Sequence, residues 1–428
     1  TTHDNRRARG LVFSAVRVVN GEQSMRSRRY ASLSIDYLTT NLAYSAVLSM
    51  LPIMLTQRVG SASVLSGVML GVLSAAARGS TLFLGRLIEK ISTLWLMQIS
   101  LAIIVLGLVS FAWLLQVSPV FALLGLMLFG VGISLVNFTL RGHIIATTAD
   151  SKEQASFFSL ATLSANLGAA IGPITASYVQ CRLGLANFLI IICLIYAVIS
   201  VITGICFERH VYLRTSDSPS EEKTSILSTI GTLLSSRRML PVLLIVVTGS
   251  VMNGQLFSGM SLVFHGFSSD LLPSGLFFTV DAIAGIVLQF PISRLVVRIM
   301  DTGKTSTYCM GLSLGLYGIA FVLFAAGTLM QSVWFIFAAL LVFASAECTY
   351  APLTNVAMVE SGENMPLVDI LNCRLILTAI GESIGSFCGG FFVPFLTSAF
   401  HATWMYWLAL SIIAVCGLFV NVSERKCR

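Results

Sequence analysis

Long apolar runs separated by short polar breaks organise this chain almost from end to end. The runs fall at 30–55, 64–85, 94–116, 120–149, 153–180, 184–207, 239–265, 274–293, 305–328, 333–358, 367–395 and 402–422. Each matches the ~20 residues a helix needs to cross the ~30 Å hydrocarbon core of a bilayer. They group as six and six around the one long polar stretch, "ERHVYLRTSDSPSEEKTSILSTIGTLLSSRR", residues 208–238. The pattern predicts an all-α integral membrane protein with twelve transmembrane helices. Residues 30–207 form an N-terminal six-helix bundle, 208–238 a linker and 239–422 a C-terminal six-helix bundle. A basic segment, 1–29, and a short tail, 423–428, flank them. Within the linker, 223–236 predicts a short amphipathic helix on the membrane surface. Residues 1–24 lack a leading Met and read as an upstream extension or a cloning remnant, with "MRSRRYASLSIDY" from Met25 as the natural start.

Composition supports the membrane reading. Of 428 residues, 56% are hydrophobic and only 11% charged, against about 25% charged in soluble domains, and the mean hydropathy is +0.88. The net charge of +7 raises the question of nucleic acid, which the placement of the charges answers. With the N-terminus inside, the inside segments hold 21 of the 26 basic residues. The outside segments hold Arg58 and Arg182, and Arg78, Arg141 and Arg374 fall within spans. That is the asymmetry of a multi-pass protein with both termini cytoplasmic, in a cell membrane of bacterial type, and it leaves no basic face for nucleic acid. The nine cysteines are scattered singly, so neither a disulfide framework nor a metal site is expected.

The halves echo each other. "RLIEKI" (86–91) follows the second run and "RLVVRI" (294–299) the eighth; "GAAIG" (168–172) lies in the fifth and "GESIG" (381–385) in the eleventh. The matching order and near-equal offsets indicate an internal duplication. A repeated six-helix unit is a transporter design, with substrate bound near the midplane between the repeats.

Three motifs add a resemblance. After the second span stand Gly85, Arg86, Leu87, Glu89 and Lys90, with Ser92 where the pattern G-x-L-x-D-R-x-G-R-R/K has its second Gly. In the fifth stand Gly168, Gly172 and Pro173, then Ala176 and Ser177 for the last glycines of G-x-x-x-G-P-x-x-G-G. In the first, Asp36, Asn41 and Ala43 fit D-x-x-x-x-N-x-A. From about residue 30 onward the chain resembles the major facilitator superfamily, and more narrowly its twelve-span drug:proton antiporter branch. The resemblance implies two bundles rocking about a central cavity, a gating loop at Gly85, Arg86, Glu89 and Lys90, an antiporter motif at Gly168, Gly172 and Pro173, and a monomer without cofactors.

Seven ionisable side chains fall inside spans: Asp36, Arg78, Arg141, Asp281, Glu347, Arg374 and Glu382. Each costs about 2.5–3.5 kcal/mol on insertion scales, ~20 kcal/mol together, more than a typical folding stability of ~5–15 kcal/mol. Pairing or hydration is therefore required. Depth places Asp36, Arg78 and Arg141 together in the cytoplasmic third, so Asp36 is expected to be held by Arg78 or Arg141. Arg374, Thr378, Glu382 and Ser386 share one helix face by their i, i+4 spacing. Four carboxylates face three guanidiniums, which leaves one acid to exchange a proton, as a proton-coupled carrier needs. Asp36 is the first candidate, since span-one acids serve this role in relatives; Glu382, Glu347 and Asp281 follow.

Polar residues able to line a cavity are Tyr37, Asn41, Tyr44 and Asn137 in the first half, and Asn253, Gln255, Tyr350 and Asn355 in the second. Interhelical hydrogen bonding explains any one of them equally well. His143 reads as a solvated side chain near the cytoplasmic end. No H-E-x-x-H or G-x-x-x-x-G-K-[ST] occurs, and the two G-x-S-x-G matches, 311–315 and 381–385, lie inside long apolar runs rather than at a strand-to-helix turn, which argues against a membrane enzyme and a nucleotide-driven pump. The leading expectation is a secondary exporter of small organic molecules, amphiphilic drugs or a secreted metabolite such as a siderophore, by proton antiport. The alternative is a proton symporter importing a small polar solute.

Overall fold

The computed structural model describes residues 33–60, 64–88, 91–148, 151–207, 211–212, 239–269, 272–362 and 367–423. These residues are helical, apart from turns and one isolated antiparallel bridge, Ser92 with Tyr212. We label the helices α1 (Leu33–Val59), α2 (Val64–Ile88), α3 (Thr93–Val117) and α4 (Pro119–Thr147). The long helix Ser151–Cys206 is interrupted at Gly184 into limbs 151–183 (α5) and 185–206 (α6). The next span, α7, is composite: Met239–Asn253, a wide π turn at Leu256–Met260, then Ser261–Gly266. There follow α8 (Gly275–Asp301), α9 (Ser306–Met330), α10 (Val333–Ser361), α11 (Leu367–Phe400) and α12 (Thr403–Ser423).

Among the described residues, ten helices are long and apolar enough to cross a membrane, with α5 and α6 taken as one; the apolar part of α12, Thr403–Leu418, is shorter. Large apolar side chains stand exposed along the outer faces, among them Trp113, Ile205, Phe290 and Trp334. In water these would be a liability; against lipid tails they cost nothing. The sequence pattern ends some helices too early. The eighth run stops at 293, yet α8 continues to Asp301. Helical backbone satisfies its own hydrogen bonds, so nothing ends it at the hydrocarbon edge, and Arg294 and Arg298 can extend their stems towards water. The expected surface helix at 223–236 and the segment 1–29 lie outside the described residues.

The break at Gly184 is a reversal. Gly168 packs on Leu38 and Leu42 of α1, and Thr203 hydrogen-bonds Asp36 of the same helix. These contacts are about 35 residues apart in sequence, ~52 Å along a straight helix, yet their partners are neighbours on α1. Gly184 (φ 77°, ψ 172°) adopts a backbone shape that other residues rarely enter, and α6 returns antiparallel to α5.

Two apolar cores result. One is built from 33–207, the other from 239–414. The second is rich in stacked rings, with Trp407 lying on Phe321 and Phe324 at centroid distances of 5.8 and 5.2 Å. The repeated glycines play the same part in each core. Gly168 and Gly172 seat α5 on α1, meeting Leu38, Leu42 and Ser45; Gly381 and Gly385 seat α11 on α7, meeting Val247, Ser250 and Val251. Small residues permit this close backbone approach. The duplication read from sequence is therefore also a repeated packing.

Candidate functional site: a cavity between the halves

The halves meet through two helix pairs related by the duplication, α2 with α11 and α5 with α8. The α5–α8 contact is tight at one end only. Ser177 Oγ accepts from the Gly275 amide (2.8 Å) and shares a hydrogen bond with Ser274 (3.2 Å), and Thr279 Oγ1 donates to the Ala170 carbonyl (2.5 Å). A Cβ on Gly275 would strike the Pro173 carbonyl. Further along the same faces, Asn166 is exposed and Ile283 is 50% exposed.

α2 and α11 diverge in the same direction. A Cβ on Gly67 would stand 2.6 Å from the Phe387 carbonyl, one on Gly71 3.1 Å from that of Ser383, and one on Gly79 3.9 Å from Ala379 Cβ. At the closed end, Ser261 Oγ, beyond the π turn of α7, donates to the Ser49 carbonyl of α1 (2.6 Å). The molecule is thus sealed where the α1–α2, α5–α6, α7–α8 and α11–α12 connections lie, and parts towards the end from which residues 33, 207, 239 and 423 emerge.

Gly275→Val tests the seal. Its Cβ would meet backbone, which has no slack, so about 1–3 kcal/mol of overpacking should fall on the closed arrangement. The expected outcome is a folded protein in which Ser49→Cys becomes more reactive towards a membrane-impermeant maleimide added on the side of the α1–α2 connection. Unchanged labelling would contradict it.

Below the seal lies a cavity of about 140 Å³ whose lining includes Tyr44, Ser74, Arg78, Asn253, Phe257, Glu347, Glu382 and Ser386. Arg78 Nε donates to Glu382 Oε2 at 2.7 Å, and one turn away Ser74 and Ser386 share a hydrogen bond of 2.8 Å. Residues four apart on α2 thus meet residues four apart on α11, making a two-rung ladder between the halves. Arg78 is 54% exposed and Glu382 14%, so the ladder borders the open space. Glu347 also lines the cavity; its charged neighbours are the acids Asp281 and Glu382. Asp281 is buried, and its Oδ1 has no partner. The fully buried Tyr317 lies beside both acids and donates its phenol hydrogen to Asn253 Oδ1. The wall contributed by α8, α9 and α10 therefore carries two acids and no described cation.

The sequence-based expectation for Asp36 fails. Asp36 is fully buried between α1 and α6, and its described partner is Thr203 at 3.4 Å, not Arg78 or Arg141. Arg78 crosses to the other half instead. Helix depth speaks only to the level of a residue; rotation about the helix axis decides partners, and depth carries no rotation. Arg141 is exposed, and Arg374 is half-buried with Nε lacking a hydrogen-bond partner. His143 is buried rather than solvated, with Nδ1 2.9 Å from Thr93 Oγ1 and its ring stacked on Phe207.

The other expected residues separate into groups. Tyr44 and Asn253 line the cavity. Gln255 and Tyr350 hold helices together: Gln255 Nε2 donates to the Gly385 carbonyl (2.9 Å) and its Oε1 accepts from Tyr406, while the Tyr350 phenol donates to the Val246 carbonyl (2.6 Å). Asn41 and Asn137 turn their amides back to the Tyr37 and Ile133 carbonyls of their own helices. Tyr37 is buried and Asn355 exposed. In the gating loop, Gly85 and Arg86 lie within α2, but their side chains, like Glu89 and Lys90, fall outside the described residues. The antiporter motif stands at a three-helix junction, with Gly168 and Gly172 against α1 and the Pro173 carbonyl against Gly275 of the other half. Sequence reasoning missed Tyr317, Thr203 and Ser74, none of which departs from the composition of an ordinary span.

No curated protein sequence matches the chain. Solved structures do. A peptide transporter, POT, in complex with sulfate aligns with a TM-score of 0.76 at 12% identity, covering 93% of this chain and 94% of that one. A POT family transporter in complex with a thioalcohol-conjugated peptide gives 0.73 at 14%, covering 93% and 96%. The nucleoside transporter NupG gives 0.73 at 14%, covering 93% and 99%. At such identities the likeness establishes the fold alone. The family model described as Major Facilitator Superfamily matches residues 37–366, most of the chain including α2, α5 and α8, and the chain belongs to that superfamily of membrane transporters.

Proposed function

We propose that this transporter is a proton-coupled exporter of small organic molecules working by alternating access. The observation that carries the reading is the cavity between the halves, sealed at one end and lined by Glu347, which makes no ion pair among the described residues. A carboxylate so placed can hold either a proton or a cationic part of the cargo, which is the exchange an antiporter needs. In this reading the chain crosses the membrane twelve times, with α5 and α6 as separate spans, α12 as the last, and both termini cytoplasmic. The bundles 30–207 and 239–422 rock about the cavity, and the arrangement described above faces the cytoplasm. Export is supported by Gly168, Gly172 and Pro173 standing where α1, α5 and α8 meet, so that bundle movement must pass through the motif. We take the working unit to be a monomer in the cell membrane, and Arg86, Glu89 and Lys90 to form the gating loop.

A symporter importing a peptide-like or nucleoside-like solute would use the same parts, and one experiment separates the two. Everted vesicles are given an acid interior and a fluorescent pH probe, then amphiphiles and siderophores are added. Export by antiport predicts that a substrate dissipates the gradient. A compound that instead carries protons with it in right-side-out vesicles would overturn the export reading and establish symport.

A further inference from the structure

Proton exchange at Glu347 leaves Arg141 and Arg374 without a task, and packing contacts fix where the two stand. On α4, Gly130, Ser134, Asn137 and Arg141 share one face by their spacing. A Cβ on Gly130 would meet Leu73, Ala76 and Ala77 of α2. Both helices run from the sealed end towards the open one, so Arg141, eleven residues past Gly130, is rooted ~13 Å beyond the level of Arg78. On α11, which runs the opposite way, Arg374 precedes Glu382 by eight residues, ~12 Å, and Glu382 is held to Arg78. The two arginines are therefore rooted at matching levels beyond the ladder, one on each half. Gly79 and Ala379 already stand apart just above them. Arg141 is exposed and Arg374 half-buried.

The charged neighbours of Arg374 are Arg141 across the gap, Arg78 and the acid Glu382. Glu382 is already taken, since it accepts from Arg78 at 2.7 Å. Among the described residues neither Arg141 nor Arg374 makes an ion pair, and Arg374 Nε is buried with no hydrogen-bond partner. Three guanidiniums and one carboxylate leave two positive charges in the open mouth. A guanidinium does not give up its proton, so the pair cannot relieve itself by titration as two acids can. Water between the halves weakens the repulsion while that end is open. When the bundles rock and the end closes, water leaves and like charges approach at a lower dielectric, where their repulsion grows.

The sign of the site selects its occupant. A proton or a metal cation adds to the charge, and water does not cancel it. A carboxylate or phosphate does, and its oxygens match the planar fork of donors that a guanidinium presents. We propose that Arg141 and Arg374 together bind an anionic group of the cargo, a carboxylate or a phosphate, which bridges the two halves and lets the open end close. The inference rests on the transporter reading above and adds a substrate class to it, organic anions. It also gives the empty carrier a physical barrier to closing, so that the cavity changes sides loaded rather than empty.

The test places the full chain in nanodiscs of phosphatidylcholine at constant ionic strength and reads closure of the open end as parting of the seal. The readout is the rate at which Ser49→Cys reacts with a maleimide, with labelling of the protein lacking that substitution subtracted. Phenyl phosphate should speed labelling saturably, whereas benzyl alcohol and benzylamine should not. Arg141→Gln and Arg374→Gln should each raise the phenyl phosphate concentration needed by about tenfold or more, the scale of losing one hydrogen bond to a charged group. Arg298→Gln, an exposed basic position on α8, should leave it unchanged. Arg141→Glu should pair with Arg374, speed labelling with no anion present and abolish the response to phenyl phosphate. A folded wild-type protein indifferent to phenyl phosphate overturns the proposal, as does a response that survives Arg141→Gln combined with Arg374→Gln, or Arg141→Glu labelling no faster than wild type. Inorganic phosphate acting as well as phenyl phosphate would make the ligand a free anion. A response to phosphatidylglycerol added to the nanodiscs, with no soluble anion, would make it a lipid headgroup. Either result overturns the assignment to cargo. Labelling reads closure and not the direction of transport, so a vesicle assay that favoured symport would leave these outcomes standing.

Discussion

Glu347→Gln is expected to cut uphill transport sharply while leaving downhill exchange of substrate measurable. Glutamine keeps the size and most of the polarity of the side chain but cannot bind and release a proton. Glu347 lines the cavity and has Asp281 and Glu382 as charged neighbours. Glu382 is already held by Arg78 at 2.7 Å, and Asp281 is buried beneath. Of the three acids, Glu347 is the one that both lines the cavity and makes no ion pair among the described residues. The loss of gradient-driven accumulation should reach about 5- to 150-fold, the range of a 1–3 kcal/mol coupling free energy. Counterflow of labelled substrate with no gradient should persist. If Glu347→Gln vesicles still accumulate substrate at the wild-type rate, the coupling acid is elsewhere, and Asp281→Asn is the next variant to test.

Arg78→Ala is expected to destabilise the protein more than it changes which substrates are carried. Removing the guanidinium strands Glu382, 14% exposed, in the wall between the halves. Breaking a fully buried pair costs about 3–5 kcal/mol. Arg78 is 54% exposed, so water relieves part of the loss, and about 1–2 kcal/mol is the appropriate scale. The diagnostic measurement is a double-variant cycle in thermal melts. Arg78→Ala with Glu382→Ala leaves no stranded charge and should lose clearly less than the two single variants added together. Additive losses would mean that the ladder contributes nothing as a pair, and an Arg78→Ala protein of normal stability with an altered substrate range would reverse its assignment from strut to selectivity residue.

Much of this architecture was legible before any coordinates. Membrane helices must satisfy their backbone internally and present apolar side chains to lipid, so run length and polarity alone locate them. The glycines of 168–172 and 381–385 were legible as a repeat because close helix packing admits only small residues, and both pairs indeed seat one helix on another. The i, i+4 face of Arg374, Thr378, Glu382 and Ser386 was also readable, and Glu382 and Ser386 do meet one neighbouring helix together. Partners were not readable. Asp36, Arg78 and Arg141 were expected together, yet Asp36 turns to α6, Arg78 to α11, and Arg141 is exposed. Gln255 and Tyr350 look like cavity residues in a linear reading, but each spends its hydrogen bonds within the C-terminal bundle.

By itself, then, the sequence determined that the chain lives in a membrane, that it is a duplicated helical bundle, and that seven charges must find company inside it. These follow from one-dimensional constraints: how long a helix must be, how much a buried charge costs, and where basic residues can stay. Only the tertiary structure decided which acids face the cavity, which one is sequestered among hydroxyls, and which end of the molecule is sealed. Those outcomes depend on helix rotation and on the tilt between the halves. Helices three hundred residues apart, such as α2 and α11, settle them by packing glycine against backbone, and no local pattern in either helix encodes that meeting.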